Sequence, residues 1–176
     1  MDANVKAGQN PDELFDVVNE RDQVLRSATR RDVHAQKLLH RAVHIFIFNS
    51  NGEIFLQQRS LLKDLEPGVW SASCSGHVDA GESYDDAAVR ELSEEIGLVL
   101  PKKPERWLRL SACEETGHEF LWIYRAKSDG PLSLNAAEVM DGGWFAIEQI
   151  RNGVLHSPED FSSSFRFIWS RVGEEL

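Results

Sequence analysis

The stretch Ser83–Ile96 constrains this chain more than any other. It reads as one amphipathic helix. Ser83 with Asp86 three residues on resembles a capping box, and Gly97 stands where a left-handed C-terminal stop belongs. Take 100° per residue and set Glu91 at zero. Glu95 then lies roughly 40° to one side and Glu94 roughly 60° to the other, so the three carboxylates share roughly 100° of one face. Ala88, Val89, Leu92 and Ile96 form a separate apolar stripe. The helix therefore buries one side and gathers three acids on the other. Like charges at i,i+4, here Glu91 and Glu95, cost a few tenths of a kcal/mol in water, and a helix gains nothing structural from them. A hard divalent cation reverses the sign of that interaction, because Mg²⁺ takes carboxylate oxygens together with substrate phosphate oxygens. An isolated acidic face is ordinarily a solvated one, so the flanking residues must decide.

The rest of the chain sets the frame for that helix. Its 176 residues suit one domain: residues 1–11 are expected to be a flexible N-terminus and residues 12–176 a single folded unit. With 19 Lys plus Arg against 29 Asp plus Glu, the net charge is -10, which argues against bulk nucleic-acid binding. Cys74 and Cys113 can form at most one bridge, so a disulfide framework is excluded and a reducing, cytoplasmic setting is expected. The longest clean apolar run near the start, Ile45–Phe48, is far short of a membrane span, and the first 30 residues carry no signal-peptide core.

Strand and turn signals fill in the order. Leu14–Val18 and Gln23–Leu25 read as a small hairpin, and Thr29 as the cap of a short helix running toward Leu39. Ala42–Phe48 and Glu53–Arg59 flank the hairpin turn Asn49-Ser50-Asn51-Gly52. A loop, Ser60–Gly68, leads to a strand over Val69–Ser75 and a glycine-bearing loop over Gly76–Gly81. Strands are expected over Trp107–Glu115, Glu119–Lys127 and Trp144–Ile147. A closing helix over Pro158–Val172 should carry Phe161, Phe165, Ile168 and Trp169 on one face. Mixed strands with two or three helices imply a layered α/β domain.

Around the acidic helix the sequence runs Gly76, five residues, Glu82, seven residues, Arg90-Glu91-Leu92, one residue, Glu94-Glu95, one residue, Gly97-Leu98. That is the Nudix box at each of its fixed positions. With each fixed residue near ~7% by composition, an accidental match has a chance of about 10⁻⁸ per starting point. The chain thus resembles the Nudix hydrolase superfamily. From His40 to Leu98 it is similar to the branch containing type I isopentenyl-diphosphate isomerase, through His40-Arg41-Ala42, Asn51-Gly52, Gln58-Arg59, Lys63, Pro67-Gly68-Val69-Trp70 and Gly76-His77.

The resemblance implies a Nudix-type α/β/α sandwich, a mixed central sheet and a loop-helix-loop box. It implies a pyrophosphohydrolase: Mg²⁺ or Mn²⁺ held by Glu91, Glu94 and Glu95 with the Gly76 carbonyl, and water attacking a diphosphate linked to another moiety. Either Glu91 or Glu94 would activate that water. Glu82 and Arg90 would pair to hold loop against helix, and Arg59 and Lys63 match positions that contact diphosphate. The isomerase also has a histidine-rich metal site. His40 and His77 align with its ligands and His34 falls near a third. Glu119 is the expected acid completing the set, ahead of Glu114 and Glu115, while Glu138 reads as an ordinary surface acid.

Two departures favour hydrolysis over isomerisation. The isomerase needs a cysteine directly before the Gly-His pair, and this chain has Ser75 there with Cys74 one position early. One position in a strand moves a side chain to the opposite face, and a hydroxyl is a far poorer acid than a thiol. The isomerase also lacks the full Glu-Glu ending of the box, which Glu94-Glu95 supplies here. An isomerase-like enzyme remains the alternative, and a non-catalytic nucleotide-sensing module a further one. A small diphosphate substrate is the expected partner, no membrane is expected, and a homodimer is left open. Trp70 and Trp122 are read as core residues rather than pocket walls.

Overall fold

The computed structural model describes residues 9–176. Most of the expected loose end, residues 1–8, lies outside the described residues. The remainder is tied down: the Asp64 amide donates to Oε1 of Gln9 at 3.2 Å, and the Arg31 amide to the Pro11 carbonyl at 3.1 Å.

A mixed sheet forms the middle of the molecule. Its central strand β3 (His40–Phe48) runs parallel to β8 (Glu119–Lys127), and β8 pairs antiparallel with β7 (Glu105–Leu110). On the other side, β4 (Ile54–Arg59) leaves β3 after the tight Asn49–Gly52 turn, keeping only the Phe48–Ile54 pair. The stretch expected as one strand, Val69–Ser75, divides at this split. β5 (Trp70–Ser71) pairs with β4, and β6 (Cys74–His77) pairs with β3. Ser73 sits in the fork. Its hydroxyl donates to the Phe55 carbonyl and accepts from the Ile47 amide at 2.8 Å, so the parted strands keep their polar groups satisfied. β9 (Val139–Phe145) closes the β4 edge.

Alternation along β3 sorts the two cores. Val43, Ile45 and Ile47 meet Ala87, Ala88, Leu92 and Ile96 of α2 (Tyr84–Ile96). Ala42 and Phe46 face the opposite layer, where α4 (Ser163–Val172) brings Phe165, Ile168 and Trp169. The result is an α/β/α sandwich. α2 starts and stops where its sequence signals lie: the Ser83 side chain accepts from the Asp86 amide, and Gly97 takes φ 63°.

Outside the sheet, β1 (Leu14–Val18) and β2 (Val24–Thr29) form the expected hairpin, and Thr29 caps α1 (Arg30–Ala35), which ends short of Leu39. Two readings are corrected near the C-terminus. Of the strand expected over Trp144–Ile147, Trp144 and Phe145 are the tail of β9, and Ile147 already opens a helix, α3 (Ile147–His156). The closing helix splits into a single tight turn at Pro158–Asp160 and α4, because the Ser162 side chain accepts from the Phe165 amide and restarts the helix there. Among the described residues, no helix is long and apolar enough to cross a membrane.

Candidate active site

The carboxylates of α2 meet β6 at the end of the sheet. Glu95 is buried. Its Oε2 accepts from Gln57 Nε2 at 2.8 Å and from the Ser75 amide at 3.1 Å, and its Oε1 lies 3.4 Å from Lys63 Nζ. Glu91 lies flat over Gly76: a Cβ at that glycine would stand 2.0 Å from Glu91 Oε1. Glycine is required there by contact, not by backbone angle. Burial, then the neighbouring Glu95, pushes the Glu91 carboxyl well above the usual range.

Arg90 organises the rim. It donates to Glu82 through Nε at 2.9 Å and Nη2 at 2.8 Å, to the His77 carbonyl at 2.9 Å, to Glu91 at 2.7 Å and to Glu94 at 3.1 Å. One guanidinium thereby ties the loop, the strand end and the helix together.

Several expectations need correction. The three acids do not converge equally. Glu91 and Glu95 face inward, whereas Glu94 is exposed and turned toward Arg90, because it lies on the far side of Glu91 around the helix. Cys74 does point to the α2 face, as its register requires, but it is not remote: its Sγ and the carboxylates of Glu91 and Glu95 lie within 4.8 Å of one another. Burial, with Glu95 beside it, pushes that thiol well up. Ser75 takes the cleft side. Glu138 is no ordinary surface acid, since it forms an ion pair with the buried Lys63. Lys63 is therefore already shared between Glu95 and Glu138. Arg59 lines the cleft and donates to the Leu65 carbonyl at 2.8 Å and the Glu66 carbonyl at 3.1 Å, with no carboxylate partner among the described residues.

A second cluster follows from strand register. β3 places His40 opposite Glu119 on β8 and Ala42 opposite His77 on β6, all on one face, and α1 supplies His34. His77 Nε2 lies 3.0 Å from Glu119 Oε1 and 3.2 Å from His34 Nε2, and His40 Nε2 lies 3.4 Å from Glu119 Oε1. Phe15 stacks on His77 at 4.5 Å and seals the group. Glu114 and Glu115 stay exposed at the rim of the cleft, outside this cluster.

Both clusters have the chemistry of cation sites. Around Glu91 and Glu95, the missing Cβ of Gly76 leaves room for two close carboxylates whose mutual repulsion a cation would relieve. In the other, His40 Nδ1 donates to the Leu38 carbonyl at 2.8 Å, which leaves Nε2 bare, buried and without a hydrogen bond. Ligand spacings of 3.0–3.4 Å suit a shared ion about 2 Å from each atom. His77 fits less well as it stands. Arg30 Nη1 sits 3.0 Å from its Nδ1, and because a guanidinium only donates, the ring proton is placed on Nε2 facing Glu119. A cation bound at Nε2 would require the other tautomer and a turn of Arg30 toward Asp64, already 3.3 Å away.

Glu91 and Glu95 of the first cluster and His77 and Glu119 of the second line one cleft of about 1040 Å³. Two further residues of this cleft, Arg30 and His44, carry no motif. His44 was legible only as the next same-face position after His40 and Ala42. It is buried, its Nδ1 has no partner, and burial pulls its pKa down to about 4. Trp70 and Trp122 line none of the cleft. Trp70 packs against Phe145 at 5.1 Å, and Trp122 lies under Arg106 at 4.7 Å.

The fold and site together define an α/β sandwich with an acid-bearing helix beside a histidine-rich strand end. Comparison with known proteins gives this class its name: the NUDIX domain profile matches residues 38–165, and the chain belongs to that family. It is 35% identical over 165 residues to an isopentenyl-diphosphate Delta-isomerase of Serratia proteamaculans, covering 92% of each chain. It is 36% identical over 148 residues to an uncharacterized Nudix hydrolase of Pseudomonas aeruginosa, covering 80% of this chain and 85% of that one. Among solved structures, DR0079 from Deinococcus radiodurans superposes with a TM-score of 0.81 at 28% identity, over 90% of this chain and 98% of that one.

Proposed function

We propose that the protein is a metal-dependent hydrolase of a diphosphate joined to another moiety. Glu91 and Glu95 would hold Mg²⁺ or Mn²⁺ with the Gly76 carbonyl, and Glu94 would join them by turning in from Arg90. Such an ion, when bound, neutralises the phosphates and lowers the pKa of a bound water. The protein's own part is positional. Arg59, anchored to its loop by two carbonyls, presents a fixed fork to phosphate oxygens. Lys63 steadies Glu95 from behind and keeps Glu138 at the wall. Either Glu91 or Glu94 would take the proton from that water.

The observation that carries hydrolysis over isomerisation is the pair Cys74 and Ser75. The thiol is buried under α2, and the hydroxyl residue occupies the cleft wall beside Gly76. Proton transfer at an allylic carbon needs an acid of accessible pKa, and a serine hydroxyl is a poor one.

The isomerase reading has its own support: relatives bearing that name cover nearly the whole chain, and the cluster of His34, His40, His77 and Glu119 is assembled. Incubation with isopentenyl diphosphate and Mg²⁺ separates the two. Isomer formed without phosphorus–oxygen cleavage would support the second. Phosphate release from a diphosphate panel, abolished by chelation, would support the first.

A further inference from the structure

α1 presents two side chains to one imidazole. Arg30 and His34 stand four residues apart, so they share a helix face, and both reach His77. Arg30 Nη1 meets His77 Nδ1 at 3.0 Å, and His34 Nε2 lies 3.2 Å from His77 Nε2 on the other side of the ring. Because a guanidinium only donates, Nδ1 accepts and the ring proton stays on Nε2. That placement sets the proton count of the cluster. The proton on His77 Nε2 serves Glu119 Oε1 at 3.0 Å and His34 Nε2 at 3.2 Å. His40 Nε2, buried in the same group, is left with none. Arg30 itself is held loosely for a buried cation. Its side chain is 6% exposed, its Nε has no partner, and its ion pair with the 52% exposed Asp64 is long at 3.3 Å. A buried charge is ordinarily paired more fully than this. The guanidinium therefore has a second place to go, the Asp64 carboxylate, and an unspent donor to offer there.

We propose that Arg30 is a positioning residue that guards the histidine cluster against cations, and that the cluster opens when its guanidinium turns from His77 onto Asp64. While Arg30 sits on His77, the cluster offers three lone pairs and one proton, and the guanidinium charge opposes a second positive ion. Once it has turned, the ring proton can occupy His77 Nδ1. The lone pairs of His34, His40, His77 and Glu119 then converge, a donor set that suits a borderline cation such as Zn²⁺. Asp64 lies in the loop Ser60–Gly68 that also carries Lys63, so loading the cluster strengthens the tie between α1 and that loop. The inference does not depend on which reaction the cleft performs.

The test uses the whole protein, with Zn²⁺ as a diamagnetic probe and the imidazole nitrogens of His34, His40 and His77 followed by ¹⁵N NMR. These signals report both the tautomer and the occupancy of this cluster alone. In the metal-free parent the His77 proton should be on Nε2, and Zn²⁺ should move it to Nδ1. Arg30→Met should raise the Zn²⁺ affinity read at these nitrogens by about tenfold or more, the release of one opposing charged hydrogen bond. Asp64→Asn, at a half-exposed position that should fold normally, removes the second anchor and should lower that affinity by about threefold. It carries the affinity test if Arg30→Met does not fold. A metal-free parent with the His77 proton on Nδ1 overturns the inference. So does an unchanged Zn²⁺ affinity in folded Arg30→Met or in Asp64→Asn, or a titration in which Zn²⁺ never reaches these nitrogens.

Discussion

At the residue scale, the contact between Gly76 and Glu91 is the tightest constraint in the site. Any side chain at position 76 must displace the Glu91 carboxylate. Gly76→Ala is therefore expected to lower turnover by about 10²-fold or more, comparable to losing one transition-state electrostatic partner. The fold should survive, which circular dichroism can check. Parent-like activity in that variant would show that the Glu91 position is not needed. His44 gives a pH signature. Its pKa is about 4 in the fold, against an ordinary value of 6.5. The unfolded chain takes up the proton first as pH falls, so the His44 contribution is fully present above about pH 6.5 and is lost progressively toward pH 4. Chemical denaturation across that window should show a slope that His44→Leu reduces by about one proton. An unchanged slope would mean that the ring is solvated.

At the element scale, α2 and β6 act as a pair. Glu91→Gln should lower turnover yet raise the metal-free melting temperature, because the buried charge and its repulsion from Glu95 are removed. Glu94→Gln should leave metal-free stability nearly level, since Glu94 is exposed and its partner Arg90 keeps four other acceptors on Glu82, Glu91 and the His77 carbonyl. In both variants stabilisation by added Mg²⁺ should shrink. Melting curves with and without Mg²⁺ decide this, and identical shifts in parent and variants would return the acids to a solvated face. On β6, Cys74→Ala should keep hydrolysis within about fivefold of the parent. The thiol touches the acids from the core side only, so near-complete loss in a folded variant would assign it a chemical role. Element boundaries were readable where caps are strong, as at Ser83, Gly97 and Thr29. They were not where a strand changes partner: nothing local in Ala72-Ser73 announces the fork that Ser73 fills. α3 escaped notice because Ala146 offers no side-chain cap and a glycine, Gly153, interrupts the pattern to admit the Phe161 ring.

At the scale of the whole molecule, one sheet end collects the acids of α2, the histidines of β3 and β6, and the cations Arg59, at the end of β4, and Lys63, in the loop after it. The box was legible because its residues lie within about six turns of chain and helix and their spacing is rigid. Long-range partners were not. The pairing of Lys63 with Glu138 joins positions 75 residues apart, and Arg30 reaches His77 across 47. No periodicity encodes such contacts; they follow from strand order. The cleft also carries more acid than base, with Glu13, Glu66, Asp79 and Glu114 added to the box. An anionic substrate should therefore bind weakly until cations are supplied.

The central claim is water attack on phosphorus, and it is tested most directly by isotope. The purified protein is incubated with Mg²⁺ and a diphosphate panel that includes isopentenyl diphosphate, in ¹⁸O-enriched water, and products are read by mass spectrometry. The expected result is ¹⁸O in a phosphate product from at least one panel member, lost on chelation, with no rearranged isoprenoid. Rearranged isoprenoid diphosphate, with no ¹⁸O in any phosphate, would contradict the account and assign the chain to isomerisation.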